Sequence, residues 1–313
     1  MGVKFANPNV SLSKLFCDKL SFTIGYKSSS EQAHIASAGN ELLAMKGSLP
    51  YNRRPYKKGV RIYSGDYPSS VRMLIQWAPN KPDKSFLRVD FNPAYADMDD
   101  VWTKLDIILP GGIDDYQTKS TITRFDATVD IYGYTPAELF ASYPSMSITK
   151  LECKSGEIES LYLGSAEASK RIVIYDKMRH IKEMKKKYHL SLPFPKCPTT
   201  RVEIRITDGV HAQDLVNFAN PFSKLLLRPA ALMPPANNQA WKLFVALARH
   251  RGAQDALLLL NESTRKTFKA KIETAPNNWW KPTEVWKSWP TLVSNVLFLE
   301  IPNDNPLLPI KVA

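Results

Sequence analysis

Two stretches of the chain set charged residues along one face of an alternating segment. In Ile122–Gly133 (ITRFDATVDIYG), Arg124, Asp126, Thr128 and Asp130 fall on one side, with Phe125, Ala127, Val129 and Ile131 on the other. Thr200–Thr207 (TRVEIRIT) repeats the pattern with Arg201, Glu203 and Arg205. If the two segments are antiparallel neighbours, Asp126 and Glu203 come close together. Two carboxylates so placed either bind a divalent cation or pair with the adjacent arginines. A solvated face laced with cross-strand ion pairs is the plainer reading of the same pattern. A third stretch, Arg171–Lys177 (RIVIYDK), puts Arg171, Val173, Tyr175 and Lys177 on one face in strand geometry. A tyrosine between cations has what a phosphoryl-transfer nucleophile needs, because the cations favour the phenolate and offset charge developing on phosphate. A packed aromatic with a wet hydroxyl is the plainer alternative.

Cations surround that third stretch. Lys170 to Lys187 holds eight basic residues against only Asp176 and Glu183. On a helix, Arg179, Lys182, Lys185 and Lys186 occupy adjoining faces, as a phosphate-tracking surface requires, and as a merely soluble lysine-rich helix also shows. Upstream, Tyr51–Tyr63 (YNRRPYKKGVRIY) carries Arg53, Arg54, Lys57, Lys58 and Arg61 with three tyrosines and no acid. Aromatics interleaved with cations suit single-stranded nucleic acid, whose bases stack while its phosphates are neutralised. Trp279 and Trp280 are of a type that stacks bases, but packing in a core or interface accounts for them more simply.

The whole-chain balance agrees with a polyanionic partner. Lys and Arg number 42 against 30 for Asp and Glu, a net charge of +12 and an isoelectric point near 9.4. That excess favours nucleic acid, with an anionic membrane surface as the competitor. No apolar run is long enough to span a bilayer, and Met1–Ala6 lacks the apolar core of a secretory signal. Cys17, Cys153 and Cys197 form no CxxC pair, which argues against a disulfide framework or zinc knuckle and places the chain in the cytoplasm. His34, His180, His189, His211 and His250 show no ligand spacing. A metal here would sit among carboxylate oxygens, which suits Mg²⁺ or Mn²⁺.

The elements that must position these residues follow from periodicity and breakers. A length of 313 residues allows one large domain or two modest ones. The first half reads as strands and loops, with strands at Phe16–Tyr26, Arg61–Tyr63, Val71–Trp77 and Ser85–Phe91. Thr135-Pro136-Ala137-Glu138 is a capping box that predicts a short helix to about Ser142. Strands at Ser160–Leu163 and Arg171–Tyr175, a basic helix Met178–Tyr188 and the strand Thr200–Thr207 follow. Asn238 is placed to cap a helix over Gln239–His250 that stops at Gly252, with further helices through Leu257–Leu260 and Thr264–Lys271. Five of the seven tryptophans lie beyond residue 240, so the tail is expected to pack as a subdomain or as a lid. The expected fold class is α+β: a mainly antiparallel sheet with flanking helices in a β-rich domain over 1–210, and a helical, Trp-rich region over 211–313.

Three of these segments stand in a familiar order. Thr123–Asp130 (TRFDATVD) resembles the TR-hydrophobic-D-x-x-x-D strand of the Rep_trans family, the replication initiation factors of rolling-circle plasmids and filamentous phages. Tyr162–Lys177 (YLGSAEASKRIVIYDK) resembles the family's GSRxSxxxxRIYxK signature, and Thr200–Arg205 (TRVEIR) its closing RxEI/L strand. Cys17–Tyr26, with Asp18, is similar to its opening strand. Ala166 stands where the family has the GSR arginine, and Val173 where it has the arginine before Ile-Tyr. The resemblance covers about residues 15 to 210. It implies a site-specific single-strand nick at a replication origin, made by a tyrosine that forms a 5′-phosphotyrosine link and frees a 3′-OH primer. By the same resemblance Tyr175 is the nucleophile, with Tyr162 and Tyr188 nearby as rivals. Asp126, Glu203 and Asp130 are the metal ligands, and Arg171 and Lys177 hold the scissile phosphate. Lys170, Arg124, Arg201 and Arg205 join the two basic patches as DNA contacts. Host helicase and polymerase partners and a homodimer are implied by the same route.

A second reading keeps the scaffold without the chemistry: a sequence-specific DNA-binding regulator of replication or copy number. The basic patches serve both readings. They part on the Asp126–Glu203–Tyr175 constellation, which a pure binder has no reason to assemble. A peripheral membrane role is poorly supported, because the tryptophans do not line an amphipathic stripe.

Overall fold

The structure is a computed structural model that describes residues 10–63, 71–81, 83–144, 146–152, 156–188, 194–229, 239–274 and 279–299. Met1–Ala6, Cys153, His189 and the expected cap Asn238 lie outside the described residues. The fold is α+β. Along the chain, β1 (Ser11–Leu12) and β2 (Phe16–Ile24) precede helix α1 (Ser29–Ala44). Strands β3 (Ser48–Pro50), β4 (Tyr56–Tyr63), β5 (Val71–Pro79) and β6 (Leu87–Phe91) follow. Helices α2 (Met98–Ile108) and α3 (Gly112–Lys119) lead into the long strand β7 (Thr121–Tyr132). Next come β8 (Leu139–Ser142), β9 (Ile148–Glu152), β10 (Ser160–Leu163) and β11 (Lys170–Asp176). Helix α4 (Lys177–Tyr188), β12 (Thr199–Ile206), β13 (Val210–His211) and β14 (Leu226–Pro229) complete the sheet region. The remainder is helical: α5 (Gln239–Arg251), α6 (Ala253–Leu258), α7 (Glu262–Thr274), α8 (Pro282–Trp286) and α9 (Trp289–Leu297).

Three helices interrupt the half that alternation and breakers present as strands and loops. The signal for α1 is local: Ser28 and Glu31 form a capping box, with Ser28 Oγ accepting from the Glu31 N–H at 3.1 Å. Asp97 caps α2 in the same manner, its carboxylate accepting from the N–H groups of Asp99 and Asp100. The opposite correction applies after Thr135. Its capping box with Glu138 forms, but the helix ends after one 3₁₀ turn, Pro136–Glu138. Leu139, Phe140 and Ala141 are buried, and β8 pairs with β14 in a separate two-stranded sheet. Burial of those apolar residues in a strand pairing outweighs the helix-start signal.

The chain forms two compact units. The first comprises the chain up to Lys14, Thr128–Arg205 and Asn220–Trp286; the second comprises Leu15–Ala127, Ile206–Ala219 and the chain from Lys287. Residues 211–313 are therefore shared between them. In the second unit neighbouring strands run β3-β4-β5-β6-β2-β7, and in the first β7-β12-β11-β10-β9. The β2–β6, β3–β4, β4–β5, β5–β6, β9–β10 and β10–β11 pairings are antiparallel.

The second unit buries one face of its sheet under helices. Leu20, Phe22 and Ile24 of β2 and Ile75 and Trp77 of β5 are all sealed from solvent. Gly39 of α1 is required there, since a Cβ would lie 2.5 Å from the Trp77 ring. Tyr116 of α3 packs on Phe22, and Trp289 of α9 packs edge-on against Phe125 at 4.9 Å. Trp289 Nε1 also donates to the Leu215 carbonyl at 3.0 Å. In the first unit, Trp241, Phe244 and Phe268 form an aromatic core joining α5 and α7, and Phe140 of β8 completes it. Trp280 donates to the Leu225 carbonyl at 2.8 Å and is buried against Phe222. The tryptophans of the tail thus serve two cores, and Trp280 offers no face to a base. Among the described residues no helix is long and apolar enough to cross a membrane.

Candidate active site

Tyr175 is the last but one residue of β11, and α4 begins two residues later. Ile172 and Ile174 bury the opposite face of the strand, which fixes the side on which Arg171 and Tyr175 emerge, with Val173 buried between them. Lys177 does not extend that row, because the strand ends at Asp176 and Lys177 is already helical. Asp176 terminates the strand by acting as the cap of α4: its Oδ1 accepts from the Arg179 N–H at 3.0 Å. The tyrosine therefore stands beside the N-terminal end of a helix, where the aligned peptide dipoles favour negative charge.

The Tyr175 hydroxyl donates to Glu203 Oε1 at 2.6 Å. Glu203 lies on β12, next to β11 in the strand order, and is 6% exposed. The His180 ring, one turn into α4, meets the Tyr175 ring edge-on at 5.3 Å. Arg171 lays its guanidinium over the Tyr162 ring at 4.7 Å, and its buried Nε finds no hydrogen-bond acceptor among the described residues. Arg179 is drawn aside by the buried Glu159, to which it makes a 2.7 Å ion pair. Sequence reasoning did not single out Glu159 or the contact of His180 with Tyr175. No spacing rule signals either one, because a strand-to-helix junction brings them in.

The carboxylate stripe of β7 is buried rather than solvated. Asp126 is 1% exposed, Thr128 0% and Asp130 9%. Asp126 lies in the second unit, where the Arg124 guanidinium grips both its oxygens at 2.8 and 2.5 Å. Asp130 lies in the first unit, where Arg201 does the same at 2.7 and 2.8 Å. Arg201 is itself 3% exposed, so it is a structural partner of Asp130 and not a surface contact for phosphate. The three carboxylates expected as metal ligands are thus engaged by Arg124, Arg201 and Tyr175. Among the described residues no group of three His, Cys, Asp or Glu side chains is arranged to hold a metal ion. In this arrangement the residues do not fit a divalent cation.

Other predicted contacts are spread over both units. Lys182 and Lys186 of α4 are exposed, while Lys170, Lys185 and Arg205 are partly covered. In the second unit, Arg53, Arg54, Lys57 and Lys58 are exposed around the start of β4. Lys19 on β2 was not anticipated as a member of a charged cluster. Burial pushes its amine below the ordinary range; Asp90 and Asp126 oppose that shift, and Arg124 and Arg88 add to it.

No family model matches the chain, and no curated protein matches it. Among solved structures, a rolling circle replication initiator protein from Geobacillus stearothermophilus superposes with a TM-score of 0.41 at 15% identity. The match covers 76% of this chain and 97% of that one. A likeness that shallow carries no weight for the site, whose chemistry rests on its own residues.

Proposed function

We propose that the chain is a rolling-circle replication initiator that nicks one DNA strand at an origin through Tyr175. The observation that carries this reading is the 2.6 Å hydrogen bond from the Tyr175 hydroxyl to the buried Glu203 carboxylate. A hydroxyl held on a carboxylate has a base in place. Tyr26 is held on Asp115 in the same way, and Tyr175 differs from it in standing at a strand-to-helix junction beside Arg171 and Lys177. In the proposed step Glu203 Oε1 takes the phenolic proton as Tyr175 Oη bonds to the scissile phosphorus. The bond from phosphorus to the 3′ oxygen breaks, and that oxygen leaves as a 3′-OH after taking a proton from water. The 5′ phosphate stays on the tyrosine. The N-terminal end of α4, Lys177 and Arg171, whose Nε has no acceptor among the described residues, supply positive potential where charge builds on phosphate.

The test incubates the chain with supercoiled plasmid carrying its own origin, with Mg²⁺, with Mn²⁺ and with EDTA. Open circles and a protein–DNA adduct on a denaturing gel are the readout. Tyr175→Phe is expected to abolish the adduct, and Glu203→Gln to slow nicking by about 10²- to 10⁴-fold, the usual worth of a positioned base. An adduct that survives Tyr175→Phe would move the nucleophile to Tyr162 or Tyr188. Activity that persists in EDTA would remove the metal requirement that the sequence leads one to expect. Binding without a nick under any metal would leave a non-catalytic DNA-binding regulator.

A further inference from the structure

The sheet of the second unit has a second face, and strand register shows which residues share it, with Ser21, Gly59 and Gln76 buried and the rest at least partly open. One cross-strand row runs Leu49, Arg61, Leu74, Asp90 and Ser21. The next runs Tyr51, Gly59, Gln76, Arg88 and Thr23, with the Tyr51 N–H donating to the Gly59 carbonyl at 2.8 Å. Residues of alternate parity, Ile75, Trp77, Leu87, Val89, Phe22 and Ile24, point to the helix side and are sealed.

At the β3–β4 end of these rows a ring and guanidinium groups come together. The Arg61 guanidinium lies 4.0 Å from the Tyr51 ring centre, and Arg53 lies 5.7 Å from the same ring. Leu49 beside them is 50% exposed, and Arg53, Arg54 and Lys57 are exposed. Gly59 permits the close approach, since a Cβ there would sit 2.6 Å from the Tyr51 carbonyl oxygen. Gln76 then crosses over it and donates to the Arg53 carbonyl at 3.2 Å. The segment carrying Tyr51 and Arg53 is thus pinned at two points before any ligand arrives, which lowers the ordering cost of binding. Asp90, the carboxylate in these rows, is already held by Arg88 at 3.2 Å.

We propose that this face seats single-stranded DNA, with bases stacking on the Tyr51–Arg61 pair and phosphates running past Arg53, Arg54 and Lys57. The charge is complementary to a phosphate backbone. The stacked ring and guanidinium serve only a strand whose base faces are open, which a duplex hides. The choice of DNA over RNA rests on the nicking reading; the platform itself does not.

The experiment uses the full chain carrying Tyr175→Phe, so that cleavage does not interfere. Fluorescence anisotropy is measured with fluorescein-labelled oligo-dT of about 15 nucleotides and with a duplex of equal length. Tyr51→Ala is expected to weaken oligo-dT binding by about tenfold or more, and Arg61→Lys, which keeps charge but loses the plane, by about fivefold. Tyr51→Phe, which keeps the ring, should stay within about twofold as the control, and Arg61→Lys carries the test where Tyr51→Ala does not fold. Oligo-dT affinity unchanged in both Tyr51→Ala and Arg61→Lys would overturn the proposal, as would a duplex that binds as tightly and loses as much. Tyr51-dependent binding by a chain that never nicks would leave the platform standing and fell the Tyr175 reading. Tyr175-dependent nicking with no role for Tyr51 in binding would do the reverse.

Discussion

Burying a carboxylate is costly unless something compensates its charge, and the compensation tells what the residue is for. Asp130 is compensated completely within the first unit, with both oxygens on the fork of Arg201. Glu203 is met by a phenol, the Tyr175 hydroxyl, and under the proposed function it takes that proton. The two residues look alike in the sequence, each an acid in an alternating strand, yet they should respond differently to substitution. Asp130→Ala removes both carboxylate acceptors from a guanidinium that is 3% exposed, and is expected to cost about 3–5 kcal/mol of stability. Urea unfolding in EDTA is the appropriate measurement, because a residue whose role is metal binding would then be nearly neutral. A Asp130→Ala chain as stable as the parent would return Asp130 to the metal site.

Among the elements, α3 is held to the second unit by a buried acid as well as by Tyr116. The Asp115 carboxylate accepts from the Tyr26 hydroxyl at 2.8 Å and the Gly111 N–H at 2.9 Å, and pairs with Lys119 at 2.7 Å. Burial pushes its pKa up, but Lys119, Tyr26 and Gly111 together outweigh burial and hold it below the usual carboxylate range. A lowered folded-state pKa gives stability that is complete above the unfolded value of about 3.9 and lost as pH falls through the folded value. Asp115→Asn should therefore lower stability by about 1–3 kcal/mol near neutral pH, with the exposed Lys119 contributing little of it. The gap to the parent should close as urea titrations are taken down to about pH 3; a gap that stays constant would remove the carboxylate charge from the account. How far such elements can be read in advance depends on where their signal resides. The strands β2, β7 and β12 announce themselves by alternation, β10 and β11 as short runs around the Gly164-Ser165 break, and α4, α5 and α7 by periodicity and breakers. The helix expected through Leu257–Leu260 lies earlier, at Ala253–Leu258. Helix α3 has only Gly111 before it and no side-chain cap, so its place is set by tertiary partners such as Tyr26. The site divides in the same way. Tyr175, Glu203 and Arg171 are legible from residue type and face, whereas His180 and Glu159 depend on how a strand turns into a helix. The ion pairs that engage Asp126 and Asp130 were an open alternative that three-dimensional arrangement decided.

For the molecule as a whole, the net charge of +12 has to be visible in how binding responds to salt. Exposed cations lie on α4 of the first unit, at Lys182, Lys186 and Lys187, and around β4 of the second, at Arg53, Arg54, Lys57 and Lys58. Each phosphate neutralised in a single strand releases condensed counterion, so log affinity falls with log salt at a slope of about −0.7 per contact. Engagement of about six of these cations predicts a slope near −4, roughly a 250-fold loss between about 50 and 200 mM salt. Replacing Lys182, Lys186 and Lys187 with Gln should make the slope shallower by about 2, with the stacking contribution of Tyr51 untouched. Tyr51→Ala should do the converse, lowering affinity at every salt concentration while leaving the slope alone. Anisotropy titrations of oligo-dT at four or so salt concentrations separate the two effects. A slope near zero would mean that the excess charge serves solubility and that neither basic patch tracks phosphate. A slope that falls with Arg53→Gln and Lys57→Gln but not with the α4 changes would confine the single strand to the second unit, and α4 would then contribute to the tyrosine site through its N-terminal end alone.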